Sequence, residues 1–231
     1  MGFDLNPLAV SVGCVFVLFG VCFGVWCMRR YLHLSFVWAS TLSFVANLAL
    51  VVLVFSLRFY NSPESMWLNT YHIFWILLIY LVLSVLFVMA YLDYVYLALP
   101  DSVLVAFFVL GCACAFSLPM PTSFVWAHIR DAFALMGGVF VLRLFGEIVC
   151  KKPVLGEADI IVLGGIGLVF GAFFALVSVF VASSLALVAT LFRFAKMRSQ
   201  AIPFVSYLFV GVLISDVGNL KYLVRTMLYG G

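Results

Sequence analysis

The chain has 231 residues, of which 67% are hydrophobic and 9% charged, with a formal net charge of +3 and a mean hydropathy of +1.29. Soluble domains carry about 25% charged residues, so this composition excludes an ordinary soluble domain. The sequence contains no basic stripe, so it gives no indication of a nucleic-acid partner. The long apolar runs lack the period-2 alternation of strands, and a bilayer requires each spanning segment to satisfy its own backbone hydrogen bonds. We therefore expect an all-α fold, a polytopic transmembrane helical bundle.

Eight spans are predicted in chain order, because each crossing needs about 20 mostly apolar residues. They cover roughly residues 7–28, 35–57, 73–92, 102–118, 127–145, 159–175, 177–194 and 203–219. The apolar run 159–194 is too long for one crossing, so we place a tight turn near Phe173–Ser178. The eight spans form a single integral-membrane domain over residues 1–231.

The positions of Lys and Arg predict the orientation, since short cytoplasmic loops carry an excess of these residues. With both termini outside, eight of the twelve cations face the cytoplasm and four face the exterior. The cytoplasmic eight are Arg29, Arg30, Arg143, Lys151, Lys152, Arg193, Lys196 and Arg198. The opposite orientation would reverse this ratio, so we predict that both termini lie outside.

Two carboxylates then fall at the same membrane face. Asp93 ends the third span and Asp159 begins the sixth, so both lie at the cytoplasmic side. A close pair of carboxylates shares one proton, and the ionised partner can activate water while the protonated one polarises a peptide carbonyl. Interface capping or an ion pathway are the alternatives. Capping explains Asp159, because the helix dipole favours an anion at a helix N-terminus. It explains Asp93 less well, because Asp93 lies at the C-terminal end of its span, where the dipole disfavours an anion.

Four segments resemble a known family. LGEADIIVLGGIGLVFG (155–171) resembles the GxGD region of the type IV prepilin peptidases, a family of intramembrane aspartyl proteases. AYLDYVYLALPDSVLV (90–105) resembles that family's other aspartate motif. IPFVSYLFVGVL (202–213) resembles the Ile-Pro-Phe start of its final span, and GVCFGVWCMRRYL (20–32) resembles its first span and basic turn. The segments occur in the family's order.

The resemblance implies roles for individual residues. Asp93 and Asp159 match the two catalytic aspartates. Gly156 matches the first motif glycine and is expected to let the backbone turn before the helix. Asp101, which follows Pro100, matches a motif acid that is not catalytic and is expected to cap the next span.

Three further positions lie at or near the motif, and two of them depart from its usual residues. Glu157 occupies the variable position, Ala158 stands where the second glycine is expected, and Ile161 stands where the family usually has Lys. Glu157 is expected either to add negative charge near Asp159 or to face water with Lys151 or Lys152.

The implied function is an intramembrane aspartyl endopeptidase of type IV pilus or protein-secretion systems. It would cleave the basic leader from type IV pilin-like precursors at the cytoplasmic face, as a multi-pass protein of the inner (cytoplasmic) membrane. Its partners would be those precursors and the lipid bilayer, with no nucleic acid, cofactor or metal. The family's zinc-binding insertion is absent, since no CxxC pair occurs, and this makes N-methyltransferase activity doubtful.

Two other functions remain open at this level. A small membrane transporter would use acidic residues for ion coupling, although such residues usually lie near the bilayer midplane. A catalytically inactive relative would serve as an assembly subunit. For a peptidase, Glu157 or Glu147 is a candidate to attract the basic leader.

Overall fold

The structure, a computed structural model, describes residues 70–117, 122–151, 155–194 and 202–217, with residues 18, 20–27, 29–30, 43, 45 and 47–48 nearer the start. These residues form helices and turns, with no strand among them. Six long helices lie within the described residues, namely α1 (Thr70–Tyr96), α2 (Asp101–Phe116), α3 (Thr122–Cys150), α4 (Glu157–Phe170), α5 (Ala172–Phe194) and α6 (Phe204–Val217). Residues 20–27 are also helical, but most of the first two predicted spans lies outside the described residues.

Among the described residues, three helices are long and apolar enough to cross a membrane. They contain Leu77–Tyr96, Val125–Cys150 and Ala172–Phe192. Asp101–Phe116 and Phe204–Asp216 are apolar but shorter, and the 14 residues of α4 extend about 21 Å at 1.5 Å per residue. An all-helical fold with three candidate membrane-spanning helices is therefore confirmed for the described part of the chain, whereas the number of eight spans stays a prediction.

Prolines and left-handed residues set several helix boundaries. Pro100 and Pro203 stand just before α2 and α6, where the missing N–H of proline costs no helical hydrogen bond. Leu97 and Lys151 follow α1 and α3 with φ of 54° each, and their N–H groups bond to Asp93 and Glu147 carbonyls at 2.9 Å. Left-handed residues of this kind commonly end helices, although glycine is the usual choice.

The chain divides into two compact units, residues 1–88 with 116–119, and residues 89–115 with 120–231. The described part of the first unit is organised around the buried amide of Asn47. Its Oδ1 accepts hydrogen bonds from Tyr80 (2.5 Å) and Ser84 (2.8 Å). A Cβ on Gly20 would lie 2.9 Å from the same oxygen, so glycine there permits close helix approach.

The second unit is built around α4, whose residues from Val162 to Val169 are all buried. Glycines on α4 allow its neighbours to come close. A Cβ on Gly164 would lie 2.5 Å from the Met136 sulfur on α3, and a Cβ on Gly165 would collide with the Phe107 ring on α2. Side chains of adjacent helices therefore fill the space that these glycines leave.

The break between the sixth and seventh predicted spans lies at Gly171, so the predicted turn near Phe173–Ser178 is wrong. Residues 173–178 belong to the continuous helix α5. Gly171 adopts φ +82°, a conformation that L-residues with a side chain rarely take. Apart from this glycine, the apolar sequence gives no signal of a break. The side chains that stabilise the break belong to α3.

At this junction, two side chains of α3 replace a backbone hydrogen bond. In one continuous helix, the Ala172 N–H would donate to the Leu168 carbonyl. Instead it donates to Asp131 Oδ2 at 3.1 Å, and the Leu168 oxygen lies 3.0 Å from His128 Nδ1. Because a carbonyl only accepts, His128 must donate from Nδ1. The Ala172 N–H and the Leu168 carbonyl are therefore both satisfied by side chains of α3.

Candidate active site

Asp93 lies in the last turn of α1, yet its carboxylate contacts the beginning of another helix. Its Oδ2 accepts a hydrogen bond from the Val205 N–H at 2.9 Å, across 112 residues of sequence. Val205 is the second residue of α6, where backbone N–H groups have no partner within the helix. The unfavourable C-terminal end of α1 is thus offset by the favourable N-terminal end of α6.

A second bond joins the same two helices. The Ser206 hydroxyl donates to the Ala90 carbonyl oxygen at 2.6 Å, one turn before Asp93. Val205 is buried, and Ser206 and Asp93 are half-buried. The first turn of α6 therefore contacts the last turns of α1 at two adjacent points.

Asp159 lies in the first turn of α4, outside the three helices of spanning length. Its Oδ2 accepts the Gly156 N–H at 3.1 Å. Burial raises the pKa of Asp159 to about 6; the Gly156 N–H acts against this shift and the negative charge of Asp93 adds to it. The fold therefore brings the two carboxylates close enough for their charges to interact.

Gly156 has a different role from the one expected. Its φ of −71° and ψ of 151° are extended values that any residue adopts, so the turn does not require glycine. A Cβ at this position would instead lie 3.1 Å from Asp159 Oδ2. Glycine leaves the carboxylate room beside the backbone that binds it.

Glu157 and Glu147 both bind Arg143. The Arg143 Nη2 lies 3.1 Å from Glu157 Oε1, and its Nε lies 2.9 Å from Glu147 Oε1. The Glu157 side chain is 82% exposed, as expected for a residue facing water, but its partner is Arg143 on α3. Glu147 and Glu157 are therefore already paired with a cation of the chain itself. This makes both of them weaker candidates for attracting a basic leader.

The remaining motif residues lie at the starts of helices. The Pro100 carbonyl accepts bonds from Val103 (3.0 Å) and Leu104 (3.2 Å), which opens α2. Asp101 is the first residue of α2 and is exposed, in the turn where the helix dipole favours an acid. Ala158 is half-buried in the first turn of α4, beside Asp159.

Sequence reasoning did not identify Arg143, Val205 or Ser206 as part of this region. Pro203 does indicate the start of α6. The unpaired N–H groups of that helix start can bind a carboxylate, which is a physical reason for α6 to meet Asp93. The pairing itself depends on tertiary contacts between distant segments.

Residues 80–191 match the model of the type IV leader peptidase family. This segment belongs to the type IV leader peptidase family. The resemblance seen in the sequence is thereby confirmed, and the segment contains Asp93 and Asp159. Comparisons with curated proteins and with solved structures found no match.

Membership of the type IV leader peptidase family indicates a membrane peptidase whose substrates are pilin-like precursors. The matched segment ends within α5. Val205 and Ser206, which bind the last turns of α1, therefore lie outside it.

Proposed function

We propose that the chain is an intramembrane aspartyl endopeptidase in which Asp93 and Asp159 form the catalytic pair. It removes the basic leader from pilin-like precursors at the cytoplasmic face of the inner membrane. The observation that carries this proposal is the electrostatic interaction between the two carboxylates, which are 66 residues apart and both within the family segment. Two nearby carboxylates in a partly buried site favour a state with one shared proton.

The hydrogen bonds favour particular oxygens for that proton. Oδ2 of Asp93 and Oδ2 of Asp159 each accept a backbone N–H. An oxygen that already accepts such a bond is the poorer site for a proton, so the shared proton belongs on an Oδ1 atom. The Oδ1 atoms are then the groups that act on water and substrate.

Hydrolysis then follows as general acid–base chemistry. The ionised carboxylate takes a proton from water as the water oxygen attacks the scissile carbonyl carbon, and the protonated carboxyl gives its proton to the carbonyl oxygen. The resulting tetrahedral diol collapses, the C–N bond breaks, and a proton passes to the departing amine nitrogen. The products are the leader with a new carboxyl terminus and the mature protein with a new amino terminus.

The substrate proposal rests on the family and on the predicted orientation. The Lys and Arg excess predicts that Asp93 and Asp159 lie at the cytoplasmic face, where a basic leader remains when the hydrophobic helix behind it enters the bilayer. The mechanism requires no cofactor and includes no methyl transfer.

A cleavage assay tests the proposal directly. The full chain would be co-expressed with a panel of precursors that each carry a basic leader followed by a hydrophobic helix, and leader loss would be followed on a gel. Asp93→Asn and Asp159→Asn are each expected to reduce cleavage by about 10³-fold or more, because asparagine cannot transfer the proton. Asp101→Asn is the matched control, since this exposed motif acid is expected to be dispensable.

The outcomes separate the candidate functions. Cleavage by wild type and Asp101→Asn, lost in the other two variants at equal membrane levels, supports the catalytic pair. Equal cleavage by all variants excludes the aspartyl mechanism. Absence of cleavage of every precursor, including the host's own pilin-like proteins, favours an inactive assembly subunit.

A further inference from the structure

The contact between α1 and α6 involves more than the hydrogen bond to Asp93. The Val205 N–H donates to Asp93 Oδ2 at 2.9 Å. The Ser206 hydroxyl donates to Ala90 at 2.6 Å. Ser206 therefore contacts α1 through its side chain.

The spacing of these contacts fixes the position of one helix on the other. Ala90 and Asp93 are three residues apart, so they lie on the same face of α1, while Val205 and Ser206 are consecutive. The two contacts lie at different heights on α1, so together they define the register of the first turn of α6 against α1. The first turn of α6 is thereby held where the Val205 N–H reaches the carboxylate.

This register matters because the geometry tolerates little movement. The Val205–Asp93 bond is 2.9 Å, and N–H···O bonds in proteins lie between about 2.7 and about 3.2 Å. A displacement of α6 by about 1 Å would break it and free the carboxylate to rotate. Misplacing a reacting group by about that distance can cost about 10²-fold in rate.

We infer that Ser206 is a positioning residue for Asp93. Its hydroxyl holds the first turn of α6 against α1, so that the backbone N–H of Val205 fixes Oδ2 of Asp93 and leaves Oδ1 to act on water and substrate. This inference rests on the proposed function of Asp93. It assigns to α6, outside the family-matched segment, a part in orienting the catalytic pair.

The test compares two substitutions at Ser206 with a control elsewhere. Ser206→Ala removes the hydroxyl, and Ser206→Thr keeps it. Ser184→Ala is the control, because the Ser184 hydroxyl also donates to a carbonyl, that of Phe180 at 2.8 Å, but within its own helix and at an exposed position. Purified full-length variants would be assayed on one precursor that wild type cleaves.

We expect Ser206→Ala to lower kcat by about 10- to 100-fold with little change in KM, because orientation of the reacting group is lost while the substrate contacts remain. Ser206→Thr and Ser184→Ala should both stay within a few-fold of wild type. Wild-type kcat in Ser206→Ala, alongside inactive Asp93→Asn, would overturn the positioning role and leave the proposed function intact.

Hydrogen exchange supplies a readout that does not depend on cleavage. The Val205 amide should exchange faster in Ser206→Ala than in wild type or in Ser206→Thr, since its bond to Asp93 is no longer held. Unchanged protection of this amide in Ser206→Ala would overturn the inference even if no precursor were cleaved. Faster exchange together with active Asp93→Asn would instead show that the contact exists and that the proposed catalytic role fails.

Discussion

At the scale of single residues, Asp159 combines three influences on one carboxyl group. Burial and the charge of Asp93 disfavour its ionised form, and the Gly156 N–H stabilises that form. The sum raises the pKa of Asp159 to about 6. A group with such a pKa holds its proton in mildly acidic solution and loses it as the pH rises towards neutrality.

The pH dependence of kcat/KM should report this loss. The proposed mechanism needs one proton on the pair, so activity should fall as the pH rises through about 6, because deprotonation of Asp159 leaves two negative charges. The measurement is cleavage of one precursor by the purified enzyme from about pH 4 to about pH 9. A profile that stays flat across this range, or one that rises through about 6, would contradict the assignment of the proton to this pair.

The sequence predicted the approximate location of Asp93 and Asp159, because opposite helix directions place both at one membrane face. Their hydrogen-bond partners were less predictable. Gly156 is three residues before Asp159 in sequence, and a local turn makes that contact foreseeable. Val205 reaches Asp93 across 112 residues, and only the packing of α6 against α1 determines which N–H meets the carboxylate.

At the scale of elements, the close packing of α4 should be measurable through one glycine. Gly165→Ala places a methyl group against the Phe107 ring, and overpacking of this kind costs about 1–3 kcal/mol. Phe107→Leu should recover part of that loss in the double variant, which gives a coupling free energy between the two positions. Thermal unfolding of the four proteins in detergent would measure it.

Gly137 provides the matched control for this experiment. A Cβ on Gly137 of α3 would have no neighbour within 4 Å. Gly137→Ala should therefore leave stability equal or raise it by about 0.5–1 kcal/mol, since alanine is the better helix former. If Gly165→Ala behaved like Gly137→Ala, the close contact between α2 and α4 would not exist in the membrane.

Helix existence was more predictable than helix boundaries. The apolar run 159–194 indicated two helices because of its length, but the break was placed several residues too late. Gly171 alone is a weak signal, because other glycines of the same run lie inside α4. What distinguishes Gly171 is the presence of Asp131 and His128 on α3 beside it, and a single sequence does not reveal that proximity.

At the scale of the whole molecule, composition predicted a helical membrane protein and the ordered motifs predicted its family. The number of spans was less certain, because α4 and α6 are shorter than a full crossing. Length and hydropathy alone cannot distinguish a short span from a helix that is buried among others. A single domain over residues 1–231 also stays a prediction.

The predicted orientation can be tested at the two ends of α3. Cys150 ends α3 and is exposed, and the predicted topology places it at the cytoplasmic face. A variant with Cys150 as its only cysteine should react with a membrane-impermeant maleimide in inside-out vesicles and not in intact cells. Labelling of Cys150 from outside the cell would reverse the predicted orientation of this half of the chain.

The opposite end of α3 supplies the control for that labelling. Ser123 is exposed in the first turn of α3. A variant whose only cysteine is Ser123→Cys should react from outside the cell, because a helix that crosses the membrane has its ends on opposite sides. Labelling of both variants from the same side would show that α3 does not cross.

The junction at Gly171 has a consequence for biogenesis. A nascent chain presents residues 160–192 as one apolar stretch without a charge, and a lone helix through this region would satisfy its own backbone. The separation into α4 and α5 leaves the Ala172 N–H and the Leu168 carbonyl without their mutual bond, and Asp131 and His128 bind these two groups instead. Because α3 is synthesised first, its Asp131 and His128 are already present when the next apolar stretch separates into α4 and α5. The order of synthesis therefore matches the order in which these partners are needed.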